Sequence, residues 1–259
     1  MSYLDNINSP ADVKKLNLKE LEALAEEIRS AILNRDSKIG GHVAPNLGIV
    51  ETTIALHYVF NSPEDKIVYD VSHQSYPHKI LTGRKNGFLT DEGMRKISGY
   101  TTPAESEHDH FIVGHTSTSV SLACGLAKAR DLKGEKHNVI AVIGDGSLSG
   151  GEALEGFDNA AVLNSNIIII VNDNEMSIAE NHGGLYGNLR LLRQTGGKAE
   201  CNMFKALGFD YRYLEEGNDI AKLTSLMKEV KDTDKPTVLH IHTEKGKGYK
   251  PAEEHKETW

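Results

Sequence analysis

Gly144-Asp145-Gly146-Ser147 is the segment of this chain whose residue types and spacing suggest chemistry most directly. Glycines let a backbone turn tightly and approach a ligand closely. Free N–H groups at the start of a following helix make a seat for phosphate. An aspartate between the glycines would repel that phosphate unless a cation stood between them. The combination therefore points to a carboxylate on a divalent metal, with the metal on a diphosphate. Mg²⁺ suits this role, because it takes oxygen ligands and keeps phosphate oxygens and water around it. Asn172-Asp173-Asn174-Glu175-Met176 offers a second oxygen-rich stretch that could complete the octahedron. Ordinary tight turns are the competing reading of both segments, but each follows directly on an apolar run that reads as a strand.

The elements that must position these loops are legible from hydropathy. Short β-branched runs at 67–71, 138–143, 166–171, 209–213 and 237–242 alternate with helical patterns at 117–131, 151–163, 202–207 and 219–230, which is the rhythm of βαβ units. Two further helical runs, 17–34 and 50–60, precede them, the first with Asn17 as its N-cap; a turn-rich patch lies between, at 38–48. The runs 139–143 and 167–171 are continuously apolar, as strands of a parallel sheet are when both faces are covered. Ligands of such sheets sit beyond the carboxyl ends of the strands. That rule selects the loops after Val71, before Ser117, after Ile143 and after Val171, and all four carry unusual polar residues.

At 259 residues, with 39% hydrophobic and 25% charged residues, the chain reads as one α/β domain spanning 1–259. A formal net charge of −8 without a lysine or arginine block disfavours a nucleic-acid or anionic-membrane partner. The opening MSYLDNINSP has neither a basic nor an apolar targeting region, and no apolar run is long enough to span a bilayer, so a cytoplasmic protein is expected. Of the two cysteines, Cys124 lies in an apolar helical run and is expected to be a buried thiol. A P-loop or dinucleotide site is set aside, because neither GxxxxGK[ST] nor GxGxxG follows a strand.

The pairing of GDG with NDN resembles the cofactor signature of thiamine diphosphate (ThDP) enzymes. Gly40-Gly41-His42, the run from Asp70-Val71-Ser72-His73-Gln74 to Arg84, Gly114-His115-Thr116-Ser117, and Lys245-Gly246-Lys247-Gly248-Tyr249 narrow this further. Together they resemble the N-terminal domain of the 1-deoxy-D-xylulose-5-phosphate synthases, within the transketolase-like group, from about Leu16 to the end. The resemblance implies a three-layer α/β/α fold with a mainly parallel sheet. It implies that Asp145, the Asn174 side chain and the Met176 carbonyl hold Mg²⁺, and that Gly146 and Ser147 approach the diphosphate. Gly114, His115 and Thr116 would line the cofactor, His73 would reach its diphosphate side, and Lys245 and Tyr249 would close over it. His42 would stand near the reacting carbon, making His42, His73 and His115 the catalytic candidates.

The remaining histidines are expected to do less. His57 is read as structural, and His78 as either a site residue or packing under its loop. His108, His110, His182 and His255 could be solvent-exposed. His240 and His242 alternate along a strand, one inward and one outward. A zinc site is disfavoured, since no HxxxH or CxxC spacing occurs.

ThDP chemistry also needs a carboxylic acid beside the cofactor's pyrimidine ring. In the resembled family that glutamate lies in a later, pyrimidine-binding domain, and no second α/β unit follows here. The expectation is therefore a composite site completed by a pyrimidine-binding partner, in a homo- or hetero-oligomer. Two departures bear on the substrates. Residues 189–203 form only a short connection where the synthases usually carry a long insertion, and Gly217-Asn218-Asp219 replaces Gly-His-Asp. A split transketolase acting on ketose phosphates is the alternative to a synthase using pyruvate and glyceraldehyde 3-phosphate; a non-catalytic relic of the fold is a third reading.

Overall fold

The structure, a computed structural model, describes residues 2–259. Strands β1 (Lys66–Tyr69), β2 (Val139–Gly144), β3 (Ile168–Asp173), β4 (Asp210–Leu214) and β5 (Thr237–His242) form one sheet in the order β1-β2-β3-β5-β4. Every pairing is parallel. Alternation along the central strands assigns their side chains to two cores. Val139, Ala141, Ile143, Ile169 and Val171 face one, while Ile140, Val142, Ile168 and Ile170 face the other. Full burial of each such Val or Ile contributes roughly 1.5–3 kcal/mol, which is why the apolar runs persist without a polar break.

Helices Ser119–Lys133 and Gly151–Ala161 cover the first face, and Val50–Val59 with Ile220–Val230 covers the second. This is the three-layer α/β/α arrangement expected from the sequence. Outside it, helix Leu18–Ile39 packs Leu21, Leu24, Ile28 and Ile32 into a third apolar cluster. Its start is set by a capping box: Asn17 Oδ1 accepts the Glu20 N–H at 3.2 Å, and Glu20 Oε2 accepts the Asn17 N–H at 2.7 Å.

Two stretches differ from the sequence reading. The patch at 38–48 contains a short helix, Val43–Gly48, and the supposed connection at 189–203 begins inside a helix, Gly184–Gln194. No helix among the described residues is long and apolar enough to cross a membrane. Cys124 is buried, its thiol pushed up to about 11 by that burial, and Cys201 is exposed.

An irregular segment, 98–113, is held against the sheet by buried polar groups. His57 Nε2 and His78 Nδ1 share a hydrogen bond of 2.9 Å, and His78 Nε2 lies 3.0 Å from Asp109 Oδ1. Arg84 donates to both Asp109 oxygens at 2.7 and 2.9 Å, and Lys79 pairs with Glu105 at 2.5 Å. His57 is structural, as expected, and His78 belongs with it. His108 and His110 are half-buried rather than exposed, because this segment folds inward; His108 Nδ1 shares a bond of 2.8 Å with Ser62 Oγ.

Burial holds His73, His78 and His110 down at about 4, against a usual value of 6.5. The unfolded chain therefore takes up protons that the folded chain refuses between those values. Stability from these neutral rings is fully present above pH 6.5 and is lost as pH falls toward 4, by on the order of 3 kcal/mol each for His73 and His78 and by less for the half-buried, solvent-screened His110. Urea unfolding midpoints measured from pH 7 to 4 are expected to fall steeply across this window; a flat profile would contradict burial of these rings in the neutral form.

Candidate active site

The carboxyl ends of β1, β2, β3 and β5 converge on one face. Gly144 pairs in register with Asn172, so the GDG and NDN loops are immediate neighbours. Asp145 is 2% exposed. Its Oδ2 accepts the Asn181 amide at 2.7 Å, and the Gly146 and Asn174 backbone N–H groups also face it. No Lys, Arg or His among the described residues forms an ion pair with it. Burial, and then the nearby Asp173 charge, push its carboxyl well above the usual range. A buried oxygen donor in this state suits a hard divalent cation.

Asp173, the middle of NDN, faces other partners. Burial alone would raise its carboxyl, but His240 Nε2 at 2.8 Å and Arg193 Nη1 at 2.5 Å on its Oδ2 hold it low. The flanking Asn174 stays beside Asp145. Its Oδ1 accepts the Met176 N–H at 3.3 Å, a long bond that leaves a lone pair free, and Met176 bridges to Glu180. Gly146 is obligatory here: a Cβ on it would lie 2.6 Å from Ser177 Cβ, so only glycine lets the two loops touch. The motif itself folds as a 3₁₀ turn, Asp145–Ser147, and the helix starts only at Gly151. The amides at the motif therefore belong to that turn, not to a helix N-terminus as the sequence suggested.

The loops from β1 and before helix Ser119–Lys133 complete the wall. Asp70 accepts the Ser117 and Ser119 N–H groups, each at 2.9 Å, and Ser117 Oγ donates to the Ser147 carbonyl at 2.8 Å. Val71, Ser72, Ser117 and Glu175 all have φ between +57° and +73°. Left-handed backbone at non-glycine residues is unfavourable and persists where surrounding structure enforces it; these four lie in the loops at the carboxyl ends of the strands.

His42 and His73 lie edge to face at 5.8 Å, with Tyr100 5.5 Å from His42. Asn46 ties them together, donating to the His42 carbonyl at 2.6 Å and the His73 carbonyl at 2.7 Å. Burial lowers both imidazoles, helped by Arg35 at His42 and by His42 at His73, so both are neutral at pH 7. His115 stands apart from them: it is exposed and its Nδ1 meets the Thr116 carbonyl at 2.8 Å. Gly114 and Thr116 are exposed beside it.

Lys245 is buried, and its ammonium donates to the carbonyls of Ser177 at 3.0 Å and Lys256 at 2.7 Å. Tyr249 meets Trp259 edge to face at 5.2 Å and packs against the cluster under helix Leu18–Ile39. Asn46, Asn181, Arg193 and His240 were not singled out from the sequence. Only His240 carried a signal there, its inward phase on β5. His242 is the outward one, within 3.0 Å of Glu215.

Residues 4–200 and 192–243 match the family model described as 1-deoxy-D-xylulose-5-phosphate synthase. The chain belongs to that family. Proteins of that name from Listeria monocytogenes and Pelotomaculum thermopropionicum are 47% and 44% identical to it, over 99% and 96% of its length. The chain covers only 44% and 45% of those relatives, so it spans less than half of their length. Among solved structures, transketolases from Campylobacter jejuni (TM-score 0.73, 22% identity) and Leishmania mexicana (TM-score 0.67, 20% identity) share its fold. They cover 93% and 88% of this chain, which in turn covers 40% and 37% of them.

The family match falls in two segments that meet at 192–200, within the connection read as short from the sequence. The Pelotomaculum synthase aligns over 285 positions and the Listeria synthase over 266, so the length inserted relative to this chain varies within the synthase family. Asn218, at the other departure, bridges the structure: its amide donates to the Gly48 carbonyl at 3.1 Å and Glu51 at 3.0 Å and accepts the Glu244 N–H at 2.9 Å.

Proposed function

We propose that this chain is the diphosphate- and Mg²⁺-binding part of a ThDP-dependent transferase that makes 1-deoxy-D-xylulose 5-phosphate from pyruvate and glyceraldehyde 3-phosphate. The observation that carries this reading is the buried Asp145 carboxylate, without a basic partner of its own, against the Asn174 loop at the ends of adjacent strands. Asp145, Asn174 Oδ1 and the Met176 carbonyl would hold Mg²⁺, and the turn at Gly146 and Ser147 would receive the diphosphate. ThDP, when bound, supplies a carbon that takes up the two-carbon unit and stores the electrons released by C–C cleavage. His42 and His73, kept neutral by burial, can each accept or give a proton to substrate oxygens. Lys245 would draw Ser177 and the C-terminal segment over the site, with Tyr249 beside it, and Gly114, His115 and Thr116 would line its outer edge.

Residues 1–259 would act as one domain. A pyrimidine-binding partner, carrying the glutamate that serves the cofactor ring, would complete the site in a cytoplasmic homo- or hetero-oligomer. Relatives 44–47% identical bear the synthase name, whereas transketolases share the fold at 20–22%; this favours pyruvate over a ketose phosphate as donor.

Thermal unfolding with and without ThDP plus Mg²⁺ tests the site. A ligand at about 100 times its Kd stabilises the folded state by about 2.7 kcal/mol, so the midpoint is expected to rise only when both are present. No rise, alone or with a pyrimidine-binding partner, would remove the reading. With such a partner, turnover of pyruvate supports the synthase, and turnover of a ketose phosphate alone supports a split transketolase.

A further inference from the structure

Arg193 lies in the last turn of helix Gly184–Gln194. Its side chain is 10% exposed; Nη1 reaches Asp173 Oδ2 at 2.5 Å and Nη2 reaches Glu175 Oε2 at 3.3 Å. These two carboxylates flank Asn174 in the chain. We propose that Arg193 is a positioning residue for the metal loop: by gripping the residues on both sides of Asn174, it fixes where the Asn174 side chain and the Met176 carbonyl stand before a cation arrives. This rests on the Mg²⁺ reading above and extends it to a residue that touches neither metal nor cofactor.

Three features support the assignment. Glu175 has φ +69°, a conformation held by its surroundings, and the guanidinium on its half-exposed carboxylate is one contact that holds it, with His242 at 3.6 Å the other. Asp173 is further tied from within, its Oδ1 accepting the Glu175 N–H at 3.1 Å, so both ends of the bend are restrained by one planar group. Such a rigid fork holds two carboxylates at once, whereas an ammonium is a point charge on a flexible stem. Arg193 with His240 also offsets the charge of Asp173, whose side chain is fully buried. That leaves Asp145 as the carboxylate available to a cation. Groups that orient a metal's ligands in this way typically change metal affinity by about 10–100-fold when removed.

The test compares the wild-type chain with Arg193→Met and Arg193→Lys. Without ligand, amide hydrogen exchange across residues 174–181 is expected to quicken about tenfold or more in Arg193→Met and less in Arg193→Lys, while β2 and β3 stay protected. With saturating ThDP, the Mg²⁺ concentration for half-maximal thermal stabilisation is expected to rise about 10–100-fold in Arg193→Met, with partial recovery in Arg193→Lys. A lower unfolding midpoint with unchanged loop exchange and an unchanged Mg²⁺ requirement would make Arg193 merely structural and overturn the proposal. If the wild-type chain shows no Mg²⁺-dependent stabilisation either alone or with a pyrimidine-binding partner, the Mg²⁺ reading fails, and the proposal, which rests on it, falls with it. Unaltered loop exchange in Arg193→Met overturns the clamp by itself, whatever the Mg²⁺ result.

Discussion

An Asp145→Ala chain folds normally yet loses Mg²⁺-dependent stabilisation by ThDP: that is the largest effect expected at the site. The carboxylate is enclosed by the Asn181 amide and backbone N–H groups, and the Asp173 charge lies close enough to raise it further. Removing it relieves a buried repulsion, so the ligand-free unfolding midpoint should hold or rise slightly. With the carboxylate gone, the only formally charged oxygen that the proposed protein ligands offer the metal is gone too. The stabilisation of about 2.7 kcal/mol given by ligand at 100 times its Kd should then vanish. Stability and binding move in opposite directions, as they do where a site is built at the expense of the fold. Titrating ThDP and Mg²⁺ against both chains in thermal unfolding decides it; equal cofactor affinity in the variant would end the assignment of Asp145 to the metal.

The second large effect belongs to Asp109. Its carboxylate, fully buried at the side chain, receives His78, Arg84 and the Thr102 N–H. Asp109→Ala would leave Arg84, 11% exposed at the side chain, with the Thr82 hydroxyl at 2.8 Å and, as a charged partner, Glu105 at 3.5 Å. Breaking a buried pair from one side typically costs about 3–5 kcal/mol, because the surviving charge stays desolvated. Segment 98–113, which carries Tyr100 against His42, should loosen at the same time. Urea unfolding gives the first quantity, and hydrogen exchange over 98–113 the second. A loss below about 1 kcal/mol would show that water or Glu105 satisfies Arg84 without Asp109.

Much of this architecture was legible because it is written locally. The unbroken apolar runs of β2 and β3 state that both faces are covered, and the Asn17–Glu20 capping box marks the first long helix. Asp145 and Asn174 could be placed side by side because the strands before them are neighbours in a parallel sheet. Helix Gly184–Gln194 was not legible: two glycines in its first turn weaken the pattern, and its stability comes from burying Leu189 and Leu192 in the core. Helix Val43–Gly48 hides behind Gly40, Gly41 and Pro45 in the same way. Asn46, Arg193 and His240 act through partners 20 to 67 residues away, or across two loops at once. No spacing rule encodes such contacts, since they exist only once the sheet has brought the strand ends together.

The strand order carries a consequence for how the chain is made. Parallel neighbours cannot pair without a crossover between them; β2 and β3 are separated by one, but β3 pairs with β5 across the whole of β4 and its flanking helices. Of the two groups that fix Asp173, His240 therefore leaves the ribosome dozens of residues after the Asn174 loop itself. Until β5 docks, the stretch around Asn174 has its oxygens but not their arrangement, and contacts of such long range are late and slow to form. On the proposed reading, competence to bind a diphosphate–metal complex would wait for β5 to dock rather than arise with the Asn174 loop.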